Sequence, residues 1–97
     1  MTYCFHPAAE AEYLECIAWY ESKRPGLGFT YLAEFERVMA VVCESPRRYS
    51  VEKGPDVRRI GMKRFPYNVL YRETAGAVQV LAVSHHRRRP QYWLGRL

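Results

Sequence analysis

The sequence predicts a small single α+β domain, β-α-α-β-β-β, in which a helical hairpin packs on an antiparallel sheet. Three observations predict it. Two stretches of helical periodicity adjoin near the start, separated only by Arg24-Pro25-Gly26-Leu27-Gly28. Three strand-like runs follow, joined by links of hairpin length. The chain has 97 residues, 48% hydrophobic and 14% aromatic, which is ample for one core and far from disorder.

Thr2–His6 alternates weakly and reads as a short strand. Pro7 suits the first position of a helix, where its missing N–H is not needed. From Ala8 to Lys23 the pattern is helical. It assigns Leu14, Ile17, Ala18 and Trp19 or Tyr20 to the core, and Glu10, Glu12, Glu15 and Glu21 to water. The proline and two glycines of the following loop break the helix. A second helix from Leu27 to Glu44 sets Phe29, Leu32, Phe35, Met39 and Val42 along one face. Ser45-Pro46 stops it, because the residue before proline is pushed out of helical geometry. So short a link makes the helices an antiparallel hairpin.

Arg47–Pro55 reads as a polar connection, and the strands as Asp56–Met62, Tyr67–Glu73 and Ala77–Ser84. Helices on one side leave the other side of the sheet partly open. By alternation, Tyr67, Val69 and Tyr71 share one face and Asn68, Leu70 and Arg72 the other. In the preceding strand Arg59 goes with Val57, and Arg58 with Ile60 and Met62. Tyr13, Tyr20, Tyr31, Tyr49, Tyr67 and Tyr71 read as residues at the edge of the core.

Charge is segregated. The net charge is +5, yet residues 1–45 hold seven acids against three bases, and residues 46–97 twelve bases against three acids. A one-sided positive field steers and concentrates anionic partners. Cys4, Cys16 and Cys43 are odd in number and widely spaced, which predicts buried, reduced thiols in a cytoplasmic protein. No Cys/His ligand spacing, glycine-rich phosphate loop, GxSxG or carboxylate pair occurs, so no metal or cofactor is implied. No apolar run approaches the roughly 20 residues needed to span a bilayer, so no membrane role is expected.

The chemistry concentrates in the last quarter. The apolar run Val78–Val83 delivers His85, His86, Arg87, Arg88, Arg89, Tyr92 and Trp93 to one end of the sheet. An imidazole beside guanidiniums is placed for proton transfer, and guanidiniums pair bidentately with phosphate or carboxylate. Arg58, Arg59, Lys63, Arg64 and Arg72 extend the patch from neighbouring strands. Tyr92 and Trp93 either stack on bases or fold back to cap the sheet.

These pieces together resemble the RelE/ParE superfamily of type II toxin–antitoxin toxins, in particular its ParE-like, plasmid-stabilisation branch. The resemblance covers nearly the whole chain. It is carried by Phe5-His6-Pro7-Ala8-Ala9-Glu10-Ala11-Glu12, Trp19-Tyr20-Glu21, Arg24-Pro25-Gly26-Leu27-Gly28, Phe35 and Glu44-Ser45-Pro46. It continues through Val57-Arg58-Arg59, Arg64-Phe65-Pro66-Tyr67, Leu70-Tyr71-Arg72, Val80–Val83, His85–Pro90 and Tyr92-Trp93. It implies a RelE/ParE toxin-like fold and a growth-inhibiting toxin held inactive by an acidic antitoxin that folds on binding.

The resemblance implies one of two targets. RelE-like members cleave mRNA in the ribosome, and here Arg59, His86 and Tyr92 stand nearest the positions that would do so. Asn68 and Gly61 stand where such a member carries further basic residues. Removing preorganised cations from a phosphoryl-transfer site is costly. ParE-like members instead poison DNA gyrase, which requires binding alone. Arg58, Arg59, Arg72, His85, Arg87, Arg88, Arg89 and Trp93 would then form the surface for target or nucleic acid. A third reading is a non-toxic member that only binds its antitoxin.

Overall fold

The computed structural model describes residues 1–97. In chain order the elements are β1 (Tyr3–Phe5), α1 (Pro7–Lys23), α2 (Leu27–Glu44), β2 (Val51–Lys53), β3 (Val57–Gly61), β4 (Tyr67–Thr74) and β5 (Ala77–His85). Short 3-10 turns occupy Pro46–Arg48 and Leu94–Arg96. The five strands form one mixed sheet of order β1-β5-β4-β3-β2, with both helices on one face.

The helices begin and end where local chemistry dictates. His6 caps α1, its Nδ1 accepting the Ala8 N–H at 3.1 Å, and Pro7 takes the first helical position. Gly26, at φ 90°, turns the chain into α2 in a conformation other residues rarely adopt. The Glu21 carboxylate then accepts the N–H groups of Gly26 and Gly28 at 3.0–3.1 Å, filling the orphan donors at the start of α2. A side chain at Gly28 would come within 2.6 Å of the Ile17 carbonyl oxygen, so this glycine permits the close crossing of the two helices.

That crossing explains where the helical phase departs from expectation. Gly28 must face α1, and this turns its neighbour Phe29 outward, 73% exposed. The buried stripe of α2 is Gly28, Tyr31, Phe35, Val38, Met39 and Val42, with Glu34 drawn in beside it. On α1 the buried residues are Ala9, Tyr13 and Cys16, flanked by Ile17 and Tyr20. Leu14 and Ala18, expected inside, are exposed, and of the alternatives Trp19 and Tyr20 it is Tyr20 that packs on the core while Trp19 is exposed. Cys4 is exposed and Cys43 only partly covered, so of the three thiols only Cys16 is buried. Tyr31 and Tyr71 lie fully inside the core rather than at its edge.

The sheet differs from expectation in two respects. Val51–Lys53 adds a strand within the presumed connection, pairing antiparallel with β3 through an irregular register. β1 pairs with β5 in parallel, through Tyr3–Phe5 and Val78–Val80. The helical hairpin separates β1 from the other strands, so no tight turn forces it to run antiparallel.

Two cores result. Between helices and sheet, Tyr13, Tyr31, Phe35, Phe65, Val69 and Tyr71 anchor a cluster of 15 buried residues. Buried Glu34 ties α2 to the β3–β4 link by accepting from Arg37 and from the Lys63 N–H, all at 2.9 Å. On the opposite face a smaller cluster, Val57, Leu70, Leu81, Ala82 and Trp93, lies beneath the C-terminal segment.

Candidate functional site

A β-bulge in β5 sorts the C-terminal residues between the two faces. Leu70 pairs with Ala82 and Tyr71 with Val80, which leaves Leu81 as the extra residue. Leu81 and Ala82 therefore both point to the open face, while Val80 and Val83 both join the helical core. Beyond the bulge His85 turns to the helical side, edge-on to the Tyr67 ring at 5.0 Å. His86 goes to the open face and lines a cleft with Arg59 and Asn68. His86 thus serves the open face alone, whereas His85 lines the groove beside α1 and also borders the open-face hollow next to His86.

The bulge also leaves backbone groups along the edge of β5 that short β1 does not reach. Side chains satisfy them. The Val83 N–H donates to Glu12 Oε1 at 3.0 Å, and Arg96 donates to the Leu81 carbonyl at 2.9 Å. Arg96 and Glu12 pair through two contacts of 2.9 Å, and the Tyr92 hydroxyl donates to Glu12 Oε2 at 2.7 Å. Burial alone would raise the Glu12 carboxyl, but bonds from Arg96, Tyr92 and Val83 outweigh it and hold the group below its ordinary range. Burial, reinforced by the Glu12 carboxylate, pushes the Tyr92 hydroxyl up to about 12. The network joins α1, β5 and the C-terminal segment into one unit.

The predicted site residues divide accordingly. Arg59 and His86 share an open cleft of about 690 Å³ bordered by Arg48 and floored by Gly61 and Asn68. Arg59, Asn68 and His86 also border an adjoining hollow of about 200 Å³, reached by Arg88 and Arg89 from the loop after β5. Tyr92 is held in the Glu12 network, its ring covered by the Arg88 guanidinium at 3.8 Å. Trp93 is 2% exposed and packs on Leu70, Leu81 and Ala82, so its ring is a lid on the smaller core and not a free stacking surface. Arg58 sits on the face opposite Arg59 and donates to the Tyr49 carbonyl at 2.8 Å. Arg72 reaches across to Gln79 on β5, and Arg87 is exposed.

A second concavity, about 350 Å³, lies between α1 and the end of β5. Cys16, Trp19, Tyr20, Tyr67 and Val83 give it apolar walls, and Glu12, Glu15, His85 and Arg88 complete its lining. Trp19 stands 54% exposed at its mouth. No group of three or more His, Cys, Asp or Glu side chains clusters as a metal site requires, and no helix is long and apolar enough to cross a membrane.

Sequence reasoning missed Glu12, Arg96, Arg48 and Glu52 as parts of this region. Glu12 and Arg96 lie 84 residues apart, and nothing local to either announces the pairing. Glu52 belongs to β2, a three-residue strand too short to show alternation.

Comparison with known proteins adds two findings. A family model described as ParE toxin of type II toxin-antitoxin system, parDE, matches residues 3–90. A solved chain described as belonging to the chromosomal ParDE TA system from P. aeruginosa superposes with a TM-score of 0.74. It is 15% identical, over 88% of this chain and 95% of that one, and at that identity the likeness speaks for the fold. No curated protein matches the chain.

Proposed function

Because this chain belongs to the ParE toxin family of type II toxin–antitoxin systems, we propose that it inhibits growth by binding and poisoning DNA gyrase. A cognate antitoxin encoded beside it would neutralise it. The observation that carries the choice of target is the condition of Tyr92. A ribonuclease would need that hydroxyl free at the scissile ribose. Here it donates to Glu12 at 2.7 Å beneath the Arg88 guanidinium. Asn68 and Gly61 line the cleft where further cations would support phosphoryl transfer. A toxin that acts by binding requires none of this.

The test is a supercoiling assay with purified chain and gyrase. Inhibition and trapped cleavage complexes at micromolar concentration are expected; neither appearing there would sink the reading. A second reading has one observation in its favour, the meeting of Arg59 and His86 in one cleft. As a ribosome-dependent endoribonuclease, the chain would leave codon-linked cuts in translated mRNA, lost in His86→Ala and Tyr92→Phe. Uncut mRNA during growth arrest rules that out. Harmless overexpression without antitoxin would instead favour the non-toxic, antitoxin-binding member.

The antitoxin reading draws on charge and on the groove along α1. Apolar anchors suit the walls made by Trp19, Tyr20 and Tyr67, and acidic residues suit the neighbouring His85 and Arg88. Association should then weaken as salt rises, measured by calorimetry with the neighbouring gene's product. An affinity indifferent to salt removes the charge part of this account.

A further inference from the structure

The two adjoining clefts of the open face share a concentrated positive charge. Guanidiniums converge on them from three places: Arg48 in the turn after α2, Arg59 on β3, and Arg88 and Arg89 after β5. Asn68 and Ser84, cross-strand partners on β4 and β5, supply neutral hydrogen-bonding groups there.

One carboxylate stands among these cations. Glu52 lies 3.6 Å from Arg59, whereas the other three ion pairs of the chain close to 2.9 Å. The side chains of Arg59 and Glu52 are 49% and 28% exposed. A long, wetted pair of this kind contributes little and exchanges readily. Phosphate takes the same bidentate bond from a guanidinium and brings more charge to it.

We infer that this basin binds the phosphodiester backbone of a nucleic acid, and that Glu52 is the resident carboxylate a phosphate displaces from Arg59. Arg48, Arg59 and Arg89 neutralise successive phosphates, while Asn68, Ser84 and His86 bond to phosphate or sugar oxygens. Trp93 borders the basin but is buried, so its ring offers no stacking platform. Binding is therefore indifferent to base sequence. The inference rests on the clefts and not on the choice of gyrase, and a failed supercoiling assay leaves it standing.

Fluorescence anisotropy with fluorescein-labelled single-stranded DNA, single-stranded RNA and duplex DNA tests it. With about three phosphates neutralised, the salt slope on a single strand is about −2, an affinity loss of about 20-fold between about 50 and 200 mM salt. Arg59→Ala and Arg89→Ala should weaken all sequences alike and each reduce the slope by about 0.7. Glu52→Gln should act oppositely, tightening binding by about 3-fold. Arg24→Ala, on the helical layer, should leave the affinity unchanged. The three probes distinguish the source of the phosphate, whichever binds best. No binding of any probe overturns the inference, as does salt-independent binding, or an affinity that neither Arg59→Ala nor Glu52→Gln moves. A probe recovered cut replaces it with the ribonuclease reading.

Discussion

On the helical face of the sheet the core is large, aromatic and continuous, and several of its polar groups are tied internally, although the buried Tyr31 hydroxyl has no partner. Glu34 is buried against Arg37 and the Lys63 N–H, and the Tyr71 hydroxyl donates to the Pro46 carbonyl at 2.7 Å. On the open face only five side chains pack together, beneath a segment fastened by Glu12, Tyr92 and Arg96, and the remaining surface is cationic cleft. One sheet therefore carries its stability mainly on one side and its charged, accessible chemistry on the other. The lid of the small core, Trp93, belongs to the same nine-residue stretch as His85 and the arginines. Fastening the C-terminal segment and shaping the basin are one structural act.

The contrast can be broken most severely from the helical side. Phe35→Ala empties the centre of an aromatic cluster that includes Tyr3, Phe5 and Tyr13. The expected loss is about 4 kcal/mol, read as a lowered urea midpoint of a single global transition. Trp93→Ala should cost about 3 kcal/mol and differ in kind. Amide exchange should accelerate first at Leu81–Val83, ahead of global unfolding. Uniform acceleration across both faces would show that the smaller core is not a separate unit.

Glu12→Gln sharpens the comparison. It leaves the Arg96 guanidinium, with its side chain only 16% exposed, without its counter-charge, and about 2 kcal/mol of stability should go. The sign with pH is fixed by the depressed Glu12 carboxyl. Its contribution is complete above the ordinary value of 4.5 and is lost as pH falls through the lower value of the folded state. The Gln variant should therefore show a shallower acid loss, although Glu34, depressed in the same direction by Arg37, keeps the profile from becoming flat. An unchanged acid limb would mean the network contributes nothing. Tyr92→Phe, which deletes one hydrogen bond to Glu12, should have the smallest effect, about 1 kcal/mol by thermal or urea unfolding.

How far the sequence could be read follows the range of the forces involved. The helices, their loop, the three longer strands and the division of β4 between its faces all rest on local periodicity and turn chemistry, and they were legible. The helical phase was not. Leu14 and Trp19 are apolar and still stand outside, because the Gly28 crossing and two core tyrosines, Tyr13 and Tyr31, fix the packed faces. In the site, Arg59 and His86 were grouped by the family resemblance, and both line one cleft. Trp93 fell to the capping alternative, and Tyr92 was claimed by a partner 80 residues distant. Pairings of that separation leave no mark in a single sequence.

The bulge at Leu81 makes the molecule's chemistry a matter of parity. Beyond that residue, odd positions of β5 face the helices and even positions face the cleft, whereas before it the even-numbered Val78 and Val80 face inward. Deleting Leu81 would remove only the extra count and leave both histidines on their present faces, because Val80 would still pair with Tyr71 and Ala82 with Leu70. A strand that kept Leu81 but paired it regularly with Leu70 would instead send His85 to the open face and His86 toward the groove beside α1, with no change in the composition of the C-terminal segment. A frame of one residue within a single strand thus decides which imidazole meets which partner. It could be reset without touching either histidine.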